Sequence, residues 1–166
     1  MVRTSDRMRT SASENSEAEV AHAQLEKTQT AHAQPACRGS ECLTSGIRVQ
    51  VRPRYVEDQS DPAARQWLFS YRIRISNEGV KPVKLETRHW RIVDAAGHPE
   101  EVRGPGVVGQ HPRLEPGQAF EYSSYCQLRT SWGTMEGEYQ LRTDDGEAFD
   151  AKVARFILVG PQPARR

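Results

Sequence analysis

Residues 88–117 read RHWRIVDAAGHPEEVRGPGVVGQHPRLEPG, and Gly104, Gly106 and Gly109 within this stretch match the pattern G-x-G-x-x-G. In a dinucleotide-binding fold, that pattern follows a buried parallel strand and opens a helix whose N-terminus faces a pyrophosphate. Here the preceding residues, EEVR, are too polar for a central strand, and the following QHP does not begin a helix. The stretch therefore predicts a connection between β-strands instead of a nucleotide-binding α/β fold.

The glycine run has two interpretations. The first is structural: glycine tolerates the backbone angles of a bulged connection between two sheets, with Val107 and Val108 as its apolar anchors. The second is functional: successive backbone amides form a nest that binds an anion, assisted here by Arg103 or Arg113. We favour the structural interpretation. Under the functional one, the candidate residues of an anion- or ligand-binding loop are Gly104, Gly106 and Gly109.

Short alternating runs separated by turn residues surround this stretch. A change of phase after Leu85 predicts a β-bulge near residues 87–89. About seven such runs and no convincing helix predict an all-β fold, an antiparallel β-sandwich of the immunoglobulin or fibronectin type III kind. In the clearest run, every second residue is apolar, the period of a half-buried strand; these residues are Trp67, Phe69, Tyr71, Ile73 and Ile75.

Aromatic residues are distributed unevenly along the chain. All twelve lie from Tyr55 onward, and residues 1–45 contain none. A segment without large apolar side chains cannot bury enough surface to offset its chain entropy. We therefore predict a disordered N-terminal tail over residues 1–45, one sandwich domain over residues 46–161, and a C-terminal tail over residues 162–166.

The charge of the chain is nearly balanced, with 23 basic and 22 acidic residues and a net charge of +1. Residues 47–166 carry 18 basic and 16 acidic residues, which gives 18 − 16 = +2. A nucleic-acid-binding domain is expected to be strongly basic, so we predict no nucleic-acid partner. No apolar run of about 18 residues occurs, so we predict no membrane span. The N-terminus lacks the apolar core of a secretory signal, which favours a cytoplasmic location.

The three cysteines argue against a disulfide framework. We expect Cys37 and Cys42 to be reduced thiols in the tail and Cys126 to be a small core residue. His89 and His98, with acidic neighbours, are a weaker candidate for binding a divalent cation. Because the domain has no H-x-x-x-H or C-x-x-C pair, we predict no metal centre and no cofactor.

No catalytic constellation is visible in the sequence. Ser123 and Ser124 lie outside any G-x-S-x-G context, and the adjacent carboxylates Asp144 and Asp145 are explained by a hairpin turn. We therefore predict that the chain is not an enzyme. Trp132 has two open interpretations, an exposed anchor for a partner or a structural residue folded over the core edge.

An ordered set of residues across positions 45–161 resembles the ApaG domain family. The set comprises Arg88, Trp90, Ile92, Asp94, Gly97, Val102, the glycines 104–109, Pro112, Leu114, Pro116, Gly117, Phe120, Tyr122, Ser124, Gly133, Met135, Gly137, Tyr139, Phe149 and Phe156. The resemblance implies an immunoglobulin- or fibronectin type III-like sandwich. It also implies an association with cobalt and magnesium efflux or tolerance, the label that the family carries. Bacterial members are often encoded beside a diadenosine tetraphosphate hydrolase, and eukaryotic ones are fused to F-box and polymerase-interacting proteins.

The sequence and the resemblance together predict a non-enzymatic binding module whose partner is another protein. Its link to cobalt and magnesium tolerance would be indirect. The alternative function is binding of a phosphorylated metabolite or nucleotide, such as diadenosine tetraphosphate, through the Gly104–Gly109 loop.

Overall fold

The computed structural model describes residues 37–162, which form an antiparallel β-sandwich. Two 3-10 turns, Glu57–Gln59 and Pro62–Ala64, interrupt the strands. Among the residues described, no helix is long and apolar enough to cross a membrane. The strands are β1 Ser40–Thr44, β2 Ile47–Tyr55, β3 Trp67–Asn77, β4 Val83–Asp94, β5 Pro99–Pro105, β6 Arg113–Leu114, β7 Ala119–Leu128, β8 Trp132–Thr143 and β9 Ala148–Val159.

The strands form two sheets that face each other. One sheet has the order β1-β2-β3-β7, and the other has the order β5-β4-β8-β9, with β6 also paired to β4. The predicted fold class, an antiparallel sandwich, is confirmed. The described part of the chain has nine strands instead of about seven, since the short strands β1 and β6 lack a clear alternating pattern in the sequence.

The core consists of the inward side chains of both sheets, as the alternation predicts. Trp90 lies at its centre and makes edge-to-face contacts with Tyr71 at 5.9 Å, Tyr139 at 5.9 Å and Phe156 at 6.0 Å between ring centroids. Such aromatic pairs stabilise a core by about 0.5–1.5 kcal/mol each beyond the area they bury. An aromatic cluster therefore lies at the centre of the core and joins the inner faces of the two sheets.

The predicted boundary of the N-terminal tail at residue 45 is too late in the sequence. Residues Ser40–Thr44 form β1 and pair with β2. The same segment also reaches the other sheet: Ser40 Oγ donates to the carbonyl of Ala154 at 2.6 Å, and the Cys37 thiol accepts from the amide of Val159 at 3.3 Å. The sequence SECLT is too short and polar to reveal a strand that is stabilised by two neighbouring edges. Residues 1–36 and 163–166 of the predicted tails lie outside the described residues.

A β-bulge in β4 determines which side chains face the core. The pairing of β4 with β8 shifts between Leu85 and Thr87, which makes Glu86 the extra residue, one position before the predicted range. The bulge also exposes the carbonyl of Glu86, which accepts a hydrogen bond from the amide of Gly106 at 2.8 Å. After the bulge, Trp90 turns into the core, so the phase change in the sequence has the predicted structural cause.

Candidate functional site

The glycine run closes on itself as a tight turn at the end of β5. The amide of Val107 donates to the carbonyl of Gln110 at 2.9 Å, and the amide of Gln110 donates to the carbonyl of Val107 at 2.8 Å. The two central residues, Val108 and Gly109, both have positive φ, at 45° and 75°. This is the geometry of a two-residue hairpin loop. The next element is the short strand β6, so no helix N-terminus faces the turn, as expected from the sequence.

Each of the three predicted glycines has a different structural environment. A Cβ on Gly106 would lie 2.3 Å from the carbonyl oxygen of Gln110, and its φ of 59° also favours glycine. A Cβ on Gly104 would lie 3.1 Å from the guanidinium of Arg88. A Cβ on Gly109 would meet nothing within 4 Å. Close packing therefore requires a glycine at position 106 and not at position 109.

Arg88 is the cationic residue that contacts the glycine turn. It lies directly opposite the buried Tyr139, so both side chains share the inward face of their sheet. Its guanidinium donates to the carbonyls of Pro105 at 3.0 Å and Gly106 at 2.8 Å. It forms no ion pair within residues 37–162. The sequence signal for the inward position of Arg88 was its spacing from Trp90. Arg88 is two residues before Trp90, and alternate residues of a strand lie on the same face.

The other residues predicted near the turn do not converge with it. Arg103 lies 3.8 Å from a carboxylate oxygen of Glu101, and Arg113 pairs with Asp144 at 2.5 Å and with Glu115. These two carboxylates raise the pKa of the Arg113 guanidinium above its usual value, with Asp144 contributing most. Each of these arginines therefore has an acidic neighbour, and neither donates a hydrogen bond to the turn within the described residues.

His111 and Trp132 are placed at different ends of the molecule. His111 is at the turn, where its Nδ1 is 3.1 Å from the carbonyl of Leu85. Trp132 begins β8, eight residues before Gln140, which pairs with β4 beside the turn. Eight strand residues correspond to about 27 Å. Trp132 is 42% exposed, which favours the interpretation as an exposed residue at the far end of the sandwich.

The predicted cation-binding histidines are bound to separate carboxylates. His89 Nδ1 lies 2.6 Å from Glu138 and its Nε2 lies 3.5 Å from Glu101, in a groove of about 510 Å³ on the outer face of the second sheet. His98 lies 3.4 Å from Asp94. The amides of Ala96 and His98 also donate to Asp94, and the His98 amide is the main cause that lowers the pKa of this carboxyl. Residues 37–162 contain no cluster of three or more potential metal ligands.

Comparison with known proteins decides the family. The sequence-family model of the ApaG domain matches residues 57–143 of this chain. Protein ApaG from Anaeromyxobacter dehalogenans strain 2CP-C is 52% identical over 122 residues, which are 74% of this chain and 96% of that protein. The chain belongs to the ApaG family.

Other relatives and solved structures agree with this assignment. Protein ApaG from Rhodospirillum centenum is 48% identical over 124 residues, which are 75% of this chain and 95% of that protein. The crystal structure of an ApaA protein from Bordetella pertussis matches with a TM-score of 0.68 at 43% identity. That match covers 78% of this chain and 100% of the Bordetella chain. The resemblance inferred from the sequence is thus confirmed.

A cluster of buried hydroxyls lies between the sheets of this ApaG domain, beside Arg88. The hydroxyls of Tyr122 and Tyr139 are hydrogen-bonded to each other across the two sheets. Burial raises the pKa of both phenols above the usual value for tyrosine, and it also raises the pKa of Tyr71. Burial raises the pKa of the Cys126 thiol to about 12, so this thiol stays protonated near neutral pH. These groups are therefore neutral constituents of the core.

The buried phenols of the ApaG domain predict that the domain becomes less stable at high pH. The folded-state pKa values of Tyr122 and Tyr139 are raised, whereas unfolded tyrosines lose their protons near pH 10. The unfolded state then binds fewer protons, so the free energy of unfolding falls as the pH rises above about 10. Urea denaturation between pH 8 and 11 should show this fall. The double variant Tyr122→Phe, Tyr139→Phe should flatten it, and an equally steep profile in that variant would contradict the assignment.

The contacts of Arg88 predict a local stabilising role. Arg88→Met removes both donors to the carbonyls of Pro105 and Gly106, and hydrogen bonds to charged groups contribute about 1.5–3 kcal/mol. We expect the free energy of unfolding to fall by roughly 2–3 kcal/mol and the Gly106 amide to exchange faster with solvent. The matched control is Arg91→Met on the exposed face of β4, which should cost less than about 0.5 kcal/mol. Equal effects of the two substitutions would show that Arg88 does not hold the turn.

Proposed function

We propose that this ApaG-family chain is a non-enzymatic module that binds an extended segment of another protein along β7, an edge strand of the described sandwich. The observation that carries the proposal is that β7 lacks the prolines, the consecutive charges and the covering segment found at the other sheet edges of the described sandwich. Addition of a strand to an exposed edge gives affinity through backbone hydrogen bonds and specificity through alternate side chains. The proposal also fits the neutral, buried state of the hydroxyl cluster and of Cys126.

The other edges carry features that hinder strand addition. On one side of the sandwich, the segment from Cys37 to Thr44 spans β2 and β9 and so bridges the two sheets. On the other side, β5 begins at Pro99, ends at Pro105 and has two consecutive glutamates. Prolines and charges at a sheet edge are the devices by which proteins block unwanted pairing.

Within the described residues, the edge strand β7 has no proline, no consecutive charges and no strand covering its edge. It spans ten residues, AFEYSSYCQL, with a single charged residue and no proline. It ends its sheet, because β3 is its partner in the pairing order and no other strand in residues 37–162 pairs with its far side. A long, nearly uncharged edge strand of this kind is a template for pairing with a second chain. This is the property that supports β7 as the binding surface.

A selection of peptides against the full chain tests the proposal. Peptides of twelve residues are selected from a random library, and amide hydrogen exchange of the protein is measured with and without them. We expect the bound peptides to slow exchange in Ala119–Leu128. Gln127→Lys adds a charge to this edge strand, and we expect it to weaken binding at least tenfold.

The matched control for that variant is Gln110→Lys, which changes another exposed glutamine, in the glycine turn. It should leave the peptide affinity unchanged. Peptides that instead protect residues 104–109, or that bind both variants as tightly as the parent chain, would refute the β7 site.

The alternative function, which competes with peptide binding at β7, is binding of a phosphorylated metabolite or nucleotide at Gly104, Gly106 and Gly109. It is supported by the Arg88 guanidinium, which lies beside Gly104 without a carboxylate partner in the described part of the chain. The amides of Gly106, Val107 and Gln110 already donate to backbone carbonyls, so this proposal has fewer donors than the sequence suggested.

Calorimetric titration with ATP and with diadenosine tetraphosphate, each with and without magnesium or cobalt, tests nucleotide binding. Saturable heat that is reduced in Gly109→Ala would support it, because a Cβ at this position meets no neighbouring atom and changes only the turn. No heat with either nucleotide would dismiss it. We propose that any link to cobalt and magnesium tolerance is indirect and operates through the protein partner.

A further inference from the structure

The outer face of the sheet β1-β2-β3-β7 is rich in arginine. Alternate residues of β2 and β3 point away from the core, because the intervening residues, such as Val51 and Ile73, are buried. The two strands are nine and eleven residues long, and together they have five arginines at outward positions. These residues are Arg48, Arg52, Arg54, Arg72 and Arg74.

The acidic residues that form ion pairs with this arginine face balance only part of its charge. Arg48 pairs with Glu41 at 2.8 Å and with Glu78 at 2.9 Å. Glu121 alone pairs with both Arg72, at 2.5 Å, and Arg74, at 2.9 Å. Five arginines against three glutamates leave an excess of 5 − 3 = +2.

The excess charge lies at two exposed arginines. Arg52 and Arg54 form no ion pair with any residue of the described domain. Arg52 is also directly opposite Arg72 in the pairing of β2 with β3. Like charges directly opposite each other destabilise a sheet. Glu121 balances the charge of Arg72, but no acidic residue of the described domain pairs with Arg52. An anion that bridges the two guanidinium groups would reduce the remaining repulsion.

The outer face of the second sheet is different. Its basic side chains are interspersed with acids, and several are paired: Arg142 lies 3.7 Å from Glu86, and Arg155 lies 3.0 Å from Glu136. The positive charge is therefore concentrated on one face of the sandwich. The nearly neutral balance of the whole chain, from which we predicted no nucleic-acid partner, averages over two unlike faces.

We propose that the arginine face binds the phosphate backbone of a single-stranded nucleic acid, for which RNA serves as the probe below. The chemistry of the face favours a nucleic acid over an acidic protein. Protein interfaces have an apolar centre, whereas nucleic-acid interfaces are polar and positively charged. The only large apolar side chain that is mostly exposed on this face of the described sheet is Leu43, at its margin.

The residues around the arginines also suit this ligand. Arginine binds phosphate oxygens through two parallel donors. Outward residues of a strand repeat at about 7 Å, so the arginines form a row along each strand. Tyr125, on the neighbouring strand β7 opposite Ser70, lies at an outward position of the same sheet. An aromatic ring beside a basic groove is a platform on which bases stack in single-strand binding proteins.

Salt-dependent binding to a labelled twelve-nucleotide RNA of mixed sequence tests this proposal with the full chain. Fluorescence anisotropy at several salt concentrations should give a line of log K against log[salt]. Its slope should be about −2, as expected if Arg52, Arg54 and Arg72 each contact one phosphate. The double variant Arg52→Gln, Arg54→Gln should lose at least fivefold in affinity at low salt. Its slope should become shallower by about 1.4, the value for two lost contacts.

The matched control is Lys84→Gln, Lys152→Gln, which removes two exposed charges from the other sheet. It changes the net charge equally and should alter the affinity less than twofold. Thermal unfolding should show that both double variants fold, with the arginine variant at an unchanged or higher melting temperature because the Arg52–Arg72 repulsion is gone.

Three results would overturn the proposal. The first is an equal loss of affinity in both double variants, which would reflect net charge alone. The second is the absence of RNA binding at low salt. The third is equal or tighter binding to polyglutamate or to phosphatidylserine vesicles, at the same concentration of negative charge, than to RNA.

Discussion

Gly137→Ala is expected to lower the free energy of unfolding by at least about 3 kcal/mol, the upper part of the range for overpacking in a core. A Cβ on Gly137 would lie 1.9 Å from the carbonyl oxygen of His89 and 3.2 Å from the Cα of Trp90. Both atoms belong to the backbone of the neighbouring strand, so no side-chain rotation relieves the contact. The strands β4 and β8 would have to separate at the centre of their sheet.

The matched control for this prediction is Gly79→Ala. A Cβ there would lie 3.2 Å from the side-chain oxygen of Asn77 and 3.9 Å from Gly46, so little has to move. Urea denaturation of both variants measures the difference, and the control should lose less than about 1 kcal/mol. If Gly137→Ala were as stable as Gly79→Ala, the close approach of β4 and β8 would be wrong.

Tyr139→Ala is expected to destabilise the domain by roughly 3–5 kcal/mol, as other truncations of large buried aromatics do. The Tyr139 side chain is fully buried, packs edge-to-face on Trp90 and hydrogen-bonds to Tyr122 on the opposite sheet. The substitution therefore leaves a cavity and an unpaired buried hydroxyl. Urea denaturation and calorimetry should show a large loss of stability or of the cooperative transition.

A second variant separates the two contributions of Tyr139. Tyr139→Phe keeps the ring and removes only the hydroxyl, so it should cost about 1–3 kcal/mol, the penalty for a buried polar group left without a partner. Tyr125→Ala, a less buried aromatic on the outer face, should cost less than either. A loss below about 1 kcal/mol for Tyr139→Ala would contradict its central place in the core.

The alternating strands were predictable because their side chains report their own environment. In β3, the inward residues Phe69, Tyr71, Ile73 and Ile75 are apolar, and the structure buries all four. Strand β1 was missed, since its stability comes from β2 and β9 and not from its own composition. The five mostly polar residues of β1 do not by themselves indicate that the segment will lie against the edges of β2 and β9.

The side-chain contacts at the glycine turn were predictable only in part. The sequence predicted a bulge in β4 but did not say which residue was the extra one. That residue is Glu86, and its position decides that Arg88 faces inward and reaches the carbonyl of Gly106. The prediction instead placed Arg103 and Arg113 at the turn, because they are close to it in sequence. Their carboxylate partners, Glu101 and Asp144, became apparent only with the strand pairing.

The clustering of arginine was visible in the sequence as an alternating pattern, but its meaning depends on register. The direct pairing of Arg52 with Arg72 follows from the hairpin between β2 and β3. The two strands are joined through the eleven residues 56–66, whose irregular path hides the register from any simple count. Composition averaged over the domain therefore gave no sign of a charged face.

An amide-resolved NMR titration of the full chain tests the central claim, that β7 binds the partner and that the glycine turn has a structural role only. The selected peptide and diadenosine tetraphosphate are added to separate samples. We predict that the peptide shifts amides of Ala119–Leu128 and that the nucleotide shifts no amide of residues 104–109. Saturable nucleotide shifts at Gly104, Gly106 and Gly109, with β7 unaffected by the peptide, would contradict the account.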